Sequence, residues 1–311
     1  MAAAIFCELQ NDGLIAATGA DAVAFLQAQL TSDVAGMTAS QTQYSGYCTP
    51  KGRLLATVLI WRDHDEIVLQ LPRTLHEALR ARLSKYVLRA HVKLVDATQA
   101  YRLFGVAGSQ AQDAIASFDA PLPQTNHEVV STSGIRVTRL PIDRYAVLVH
   151  TEHADRVHAA LAAHAEQHPP SAWVRTDIEA GIAIVTTATQ DEYVPQMINL
   201  DLIGGVSYSK GCYPGQEIVA RMHYLGRVKQ RMYRVHLPVA QLPVPGDALY
   251  SHEFGPDQAS GAIITATPAS DGGFEALAVI QTVSAAQGSV HWKSPSGPAL
   301  EFLPLPYEIP T

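Results

Sequence analysis

The chain has 311 residues, 47% hydrophobic and 16% charged, and its 29 acidic against 22 basic residues give a formal net charge of −7. That length exceeds the usual single domain and that composition suits a compact globular protein, which excludes extended disorder and predicts two or three packed units. The acidic balance offers no global attraction for nucleic acid or anionic lipid, so neither a direct nucleic-acid partner nor a membrane partner is expected.

The opening MAAAIFCELQNDG lacks the basic start and long apolar core of a signal peptide. No later run reaches ~18 uninterrupted apolar residues, and a cytoplasmic location is expected. GLIAATG then reads as a short strand, and ADAVAFLQAQLTSDV as a helix with Ala22, Phe25, Leu26, Gln29 and Leu30 at helical spacing. GRLLATVLIWRDHDEIVLQLP places two apolar runs around the polar turn Asp63-His64-Asp65, which is a hairpin signal. RTLHEALRARLSKYVLR follows, with Leu75, Leu79, Leu83 and Val87 stacked on one helical face.

A second unit begins near YRLFGVAGSQAQDAIASF, a strand running through a Gly-Ser turn into a helix. GIRVTRLPIDRYAVLVH supplies another hairpin, and ADRVHAALAAHAEQH another helix that Pro169-Pro170 stops. After residue 230 the texture changes to short strands, MYRVHLPV, GAIITAT, FEALAVIQ, SVHW and LEFLPL, separated by Gly, Pro, Ser and Asp. Such punctuation predicts a small β-barrel over 231–311. The expected organisation is therefore α+β: residues 1–230, divided into 1–100 and 101–230, followed by the barrel.

The three cysteines, Cys7, Cys48 and Cys212, are far apart and form no Cys-x-x-Cys pair, so no tightly bound metal and no disulfide framework are expected. His164 and His168 have helical i, i+4 spacing but no HExxH accompanies them. The cations from Arg73 to Lys93 (Arg73, Arg80, Arg82, Lys85, Arg89, Lys93) read as a solvated helix face.

The stretch KGCYPGQEIVAR, residues 210–221, is the least ordinary. Pro214 suits position i+1 of a turn, and Gly215 supplies the positive φ of a type II turn at i+2. QEIVAR continues as a short helix in which Glu217 and Arg221 are spaced to pair. A thiol at Cys212, near a helix N-terminus and beside Lys210, would have its reactive thiolate favoured. The residue chemistry leaves two readings open: a working thiol, or a small buried hydrophobe.

This stretch fits the pattern K-G-C-[FY]-x-G-Q-E-x-x-[AS]-R and resembles the YgfZ family, folate-binding proteins that support iron–sulfur enzymes and are related to the glycine-cleavage aminomethyltransferase. TGADAVAFLQAQLTSDV, CTPKGRLLATVLIWR, WVRTDIEAGIAIV, YVPQMINLDLIGGVSYSKGCYPGQEIVARMHYLGRVKQR and LPLPY extend the resemblance along most of the chain. It implies two α+β units of the aminomethyltransferase folate-binding type plus a C-terminal β-barrel, arranged around a central hole. It implies tetrahydrofolate, or a derivative, as ligand, with Trp173 and Glu179 as binding residues, and iron–sulfur client enzymes as partners of a monomer. Cys212 is then the functional thiol, assisted by Lys210 and Arg221, with Gly211, Tyr213, Gly215, Gln216 and Glu217 shaping the segment. The effect on tRNA modification would be indirect, through clients that thiolate tRNA. The alternative is a folate-dependent aminomethyltransferase-like one-carbon enzyme. Against it, Ala56 and Thr57 stand where the aminomethyltransferase carries an aspartate, and neither works as a general acid or base near neutral pH. QNDGLIA also lacks a tryptophan that some members place before the first strand.

Overall fold

The computed structural model describes residues 4–64, 66–118 and 120–310. Asp65 of the expected turn lies outside them. The chain divides into two compact units: residues 1–45 with 58–176, and residues 46–57 with 177–311.

The first unit is built on two sheets. Strands β1 (Ile5–Glu8), β2 (Asp12–Thr18), β3 (Ser40–Cys48), β4 (Leu54–Asp63), β5 (Glu66–Pro72) and β6 (Lys93–Asp96) come first, with helices α1 (Ala22–Gln27) and α2 (Arg73–Ser84). β7 (Tyr101–Ala107), α3 (Ala111–Ala116), β8 (Val129–Thr132), β9 (Ile135–Leu140), β10 (Arg144–His150), α4 (Thr151–His164), β11 (Glu166–Gln167) and α5 (Pro170–Glu179) follow. One sheet has the order β3-β4-β5-β2-β6 and the other β11-β1-β7-β10-β9-β8, so the N-terminal strand pairs with the later sheet. The expected β4–β5 hairpin forms, with Asp63 opposite Glu66. Arg136 on β9 holds that corner. Its guanidinium bonds Asp63 at 2.9 Å and also Glu66, which accepts the Tyr101 hydroxyl at 2.7 Å.

Helix lengths differ from those expected, for local reasons. α1 stops at Gln27, short of the periodic run to Val34. Past Leu30 the polar side chains compete for the backbone: Ser45 Oγ accepts from Ser32 N at 3.0 Å, and Asp33 Oδ1 accepts from Gly36 N at 3.2 Å. α2 buries Leu75, Leu79 and Leu83 as expected but ends at Ser84, before Val87, and it also buries His76, whose Nε2 lies 3.1 Å from Leu14 O. Of the cations from Arg73 to Lys93, Arg80 pairs with Glu77 at 2.9 Å, and Arg73, Lys85, Arg89 and Lys93 are exposed, the last three beyond the end of the helix. α4 ends at His164, and Glu166–Gln167 become β11, parallel to β1, with His168 N bonded to Phe6 O at 2.9 Å. His164 and His168 thus do not share a helix, and no group of three or more metal-ligating side chains exists among the described residues.

The second unit contains a 3-10 turn (Pro195–Ile198), helix α6 (Gln216–Tyr224) and a six-stranded sheet. Its strands are β12 (Gln230–Leu237), β13 (Ala248–Ser251), β14 (Gly261–Pro268), β15 (Phe274–Gln281), β16 (Val290–Trp292) and β17 (Glu301–Leu303), with α7 (Thr282–Gln287) between β15 and β16. The order β16-β13-β14-β15-β12-β17 curls: edge strand β16 bonds residues 298–300 through Trp292 N to Pro298 O and Leu300 N to Val290 O, both 2.9 Å, and that segment leads into β17 at the other edge. Val235, Leu249, Ile263, Ala278, Ile280 and Trp292 fill the interior. Compactness divides the chain at 176/177, earlier than the change of texture at 230, because polar contacts tie the preceding segment to this sheet. Arg231 pairs with Asp201 at 2.7 Å and donates to Gln196 O at 2.8 Å, and Asn199 Nδ2 donates to Met232 O at 2.8 Å. No helix among the described residues is long and apolar enough to cross a membrane.

Candidate functional site

The turn in KGCYPGQE forms as its residues dictate. Gly215 has φ of 83° and ψ of 1°, and Gln216 N bonds Tyr213 O at 3.1 Å, which closes a type II turn at the start of α6. Gln216 Nε2 reaches back to Lys210 O at 3.3 Å, and Lys210 Nζ stands 5.1 Å from the centre of the buried Tyr213 ring. Gly211 differs from Gly215. A Cβ there would meet nothing within 4 Å, so its expected part in shaping the turn has no steric basis.

Gly215 has a second role. A Cβ on it would lie 2.5 Å from Thr49 O and 2.6 Å from Gly52 Cα, so two backbones touch here. The partner is the tip of the β3–β4 hairpin, which belongs to the second unit. Gly52 has φ of 74° and donates its N–H to Thr49 O at 2.9 Å, and a Cβ on it would meet Ile218 at 3.0 Å. Arg53 bonds the carbonyls of Asp191 and Glu192 at 3.2 and 2.6 Å, and Leu54 N bonds Tyr193 O at 2.7 Å. Thus CTPKGRLL and KGCYPGQE, distant in sequence, dock on one another. Nothing in either stretch announced that partner beyond a glycine in each.

The three thiols separate cleanly. Cys7 donates to Pro169 O at 3.4 Å and burial pushes its pKa up to about 11, while burial pushes Cys48 up to about 12. Both are held as inert thiols. Cys212 is exposed, so it is not a small buried hydrophobe. Glu217 and Arg221 are both exposed, and the expected ion pair between them does not form among the described residues. Such a pair in water is worth only a few tenths of a kcal/mol, roughly, and side-chain freedom outweighs it.

Trp173 and Glu179 both lie on α5, whose Pro170 occupies the start of the helix where a missing N–H has no cost. Trp173 is 8% exposed. A Cβ on Gly105 would lie 2.3 Å from Trp173 Cε3 and 2.6 Å from Cδ2, so β7 packs directly against the ring. On its face stands the buried Arg144, Cζ 5.1 Å from the ring centre, which also donates to Thr176 Oγ1 at 3.2 Å and to Pro141 O at 3.1 Å. Sequence reasoning passed over Arg144, since nothing in IDRYAVLVH marks a buried arginine. Glu179 is half-buried at the end of the helix. Six residues at ~100° each place it about 120° around the axis from Trp173.

Ala56 and Thr57 are buried on β4, and Thr57 Oγ1 accepts Val185 N–H at 2.9 Å. The hydroxyl anchors a neighbouring backbone, and no carboxylate stands at those two positions.

Residues 1–138 match the family described as GCVT N-terminal domain. The tRNA-modifying protein YgfZ of Yersinia pseudotuberculosis serotype IB (strain PB1/+) is 31% identical over 304 residues, spanning 97% of this chain and 92% of the relative. That of Sodalis glossinidius (strain morsitans) is 30% identical over 303 residues with the same coverage. Among solved structures, the glycine cleavage system aminomethyltransferase T from Bartonella henselae superimposes with a TM-score of 0.81 over 98% of this chain and 86% of that one, at 18% identity. The latter likeness is one of fold: aminomethyltransferase-like, with mixed α/β sheets and a curled C-terminal sheet. With near-full-length coverage at that identity, and the docked KGCYPGQE segment in place, the chain belongs to the YgfZ family.

Proposed function

We propose that this protein is a tetrahydrofolate-binding accessory factor that supports assembly or repair of iron–sulfur clusters in client enzymes and so affects tRNA modification indirectly. The observation that carries the proposal is the exposure of Cys212 directly before a turn that the Gly215–Gly52 contact docks, while the other two thiols are buried. Cys212 is the working thiol; as thiolate it lends a ligand to iron in a client's damaged or forming cluster and releases its proton on doing so. Lys210 and Arg221 contribute positive charge to the segment. The names of the relatives, tRNA-modifying proteins, support the downstream effect.

Glu179 fits a folate ligand: a half-buried carboxylate accepts paired N–H donors of a pterin ring. Trp173 fits a ligand-stacking role less well, because Gly105 and Arg144 already cover its ring. A one-carbon transferase is disfavoured by the anchored Thr57 hydroxyl and its apolar neighbour Ala56.

The test is tRNA methylthiolation in cells lacking the protein, read by mass spectrometry of nucleosides and rescued with wild type or with Cys212→Ala. Rescue by wild type alone is expected. Equal rescue by both would sink the thiol reading and leave the folate ligand as the functional element.

A further inference from the structure

Helix α6 also carries exposed apolar residues on the side away from the core. Val219 is its buried residue. At ~100° per residue, Glu217, Ile218, Arg221, Tyr224 and Leu225 fall within an arc of roughly 120° on the opposite side. Of these, Ile218 is 38%, Tyr224 65% and Leu225 84% exposed. Single exposed apolar residues are ordinary, whereas a contiguous set marks an interaction surface. Leu225 N still bonds Arg221 O at 2.9 Å, so it continues the helical face. Tyr224 is positioned by neighbouring rings: Tyr208 and His223 stack at 3.7 Å, and Tyr224 meets them edge-on at 6.2 and 4.8 Å. An aromatic anchor held before binding loses little freedom on binding.

The charge of this segment opposes that of the chain. Between Asp201 and Asp247 the sole acidic residue is Glu217, against Lys210, Arg221, Arg227, Lys229, Arg231 and Arg234. Arg231 is engaged by Asp201 and Arg234 by Glu275. Arg221, Arg227 and Lys229 are exposed and form no ion pair among the described residues. A cationic patch on a chain of net charge −7 selects an anionic partner face.

We infer that α6 and the segment through Lys229 form the docking surface for a client protein whose matching face has an apolar centre rimmed by carboxylates. Ile218 and Leu225 favour protein over RNA, because aliphatic side chains seat in apolar pockets but offer bases no stacking surface. The nine-residue helix is about 14 Å long, and Cys212 lies just before its start, so one interface of ordinary size covers both. The inference rests on the proposed reading in one respect: the docked protein is the one whose cluster Cys212 serves.

Binding of the full-length chain to a purified cluster-containing tRNA methylthiolation enzyme tests it, by titration at low and high salt. Leu225→Asp, and separately Arg227→Glu with Lys229→Glu, should each weaken binding by about tenfold or more. The charge reversal should also remove most of the salt dependence, and thermal melts should stay at the wild-type value. Unchanged affinity in both surface variants, or no measurable binding by the wild type, overturns the docking surface. So does loss of bulk tRNA binding in those variants with enzyme binding intact, which would reassign the patch to nucleic acid. If the surface variants weaken binding as expected and Cys212→Ala nonetheless restores methylthiolation, the thiol reading fails while the docking surface stands.

Discussion

Trp173 and Tyr213 are both buried aromatic residues beside glycines, and their surroundings serve opposite ends. At Trp173 the glycine removes a side chain to admit a ring: Gly105 lies directly against it, Arg144 stands over it, and Arg144 donates to Thr176 Oγ1. At Tyr213 the ring turns inward, but the neighbouring glycines, Gly215 and Gly52, admit a second backbone instead. The loop is pinned from below, and the residue before the tyrosine, Cys212, stays in solvent. One region uses close packing to hide its functional-looking residue, and the other uses it to present one.

The largest expected effect is at the first region. Trp173→Ala should cost about 3–5 kcal/mol of stability, read as a fall in the urea midpoint, because the ring fills space that Gly105 and Arg144 cannot close. A loss under about 1 kcal/mol would mean that the ring is not part of the core and would break the comparison. At the second region, Gly215→Ala should cost about 2–3 kcal/mol through left-handed strain and collision with Thr49 and Gly52.

A pH titration sharpens the contrast between hidden and presented thiols. The folded pKa of Cys48 is raised from 9.0 to about 12, so its contribution to stability is complete below pH 9 and is lost as pH rises from there toward 12. The unfolded chain releases the proton first, giving a fall of up to about 1.4 kcal/mol per pH unit. Cys48→Ala should flatten that slope, whatever it does to stability at pH 7.

The smallest effects belong to the exposed residues of the second region. Gly211→Ala, with open space around the added Cβ, should stay within about 0.5 kcal/mol of wild type, in contrast to Gly215→Ala in the same loop. Cys212→Ala should likewise change stability by less than about 0.5 kcal/mol. A maleimide added to native protein at pH 8 should label Cys212 alone by mass spectrometry, and Cys7 and Cys48 only after denaturation.

Much of this was legible from residue order. Pro214-Gly215 specified its turn, the Leu75-Leu79-Leu83 spacing specified α2, and apolar runs bounded by turn residues specified β4, β5 and most strands after 230. The misses share a cause. α1 ended early because Ser32 and Asp33 found partners for the backbone that periodicity does not weigh, and the His164–His168 pair came apart because Glu166–Gln167 joined β1 as a strand. The strands β1 and β3 escaped notice because IFCE is short and SQTQYSGYC carries no strong alternation.

By itself the sequence determined the turn before α6, the amphipathic helices, the acidic balance and the family, since each depends on neighbouring residues or on a contiguous pattern. Only the tertiary structure decided that Gly215 meets Gly52, that Trp173 is packed between Gly105 and Arg144, and that of three cysteines one alone faces solvent. Local dihedral preference and hydrophobic period are written into adjacent residues. Close approach between distant segments is settled by the packing of whole elements, and no residue carries a record of the partner it will meet.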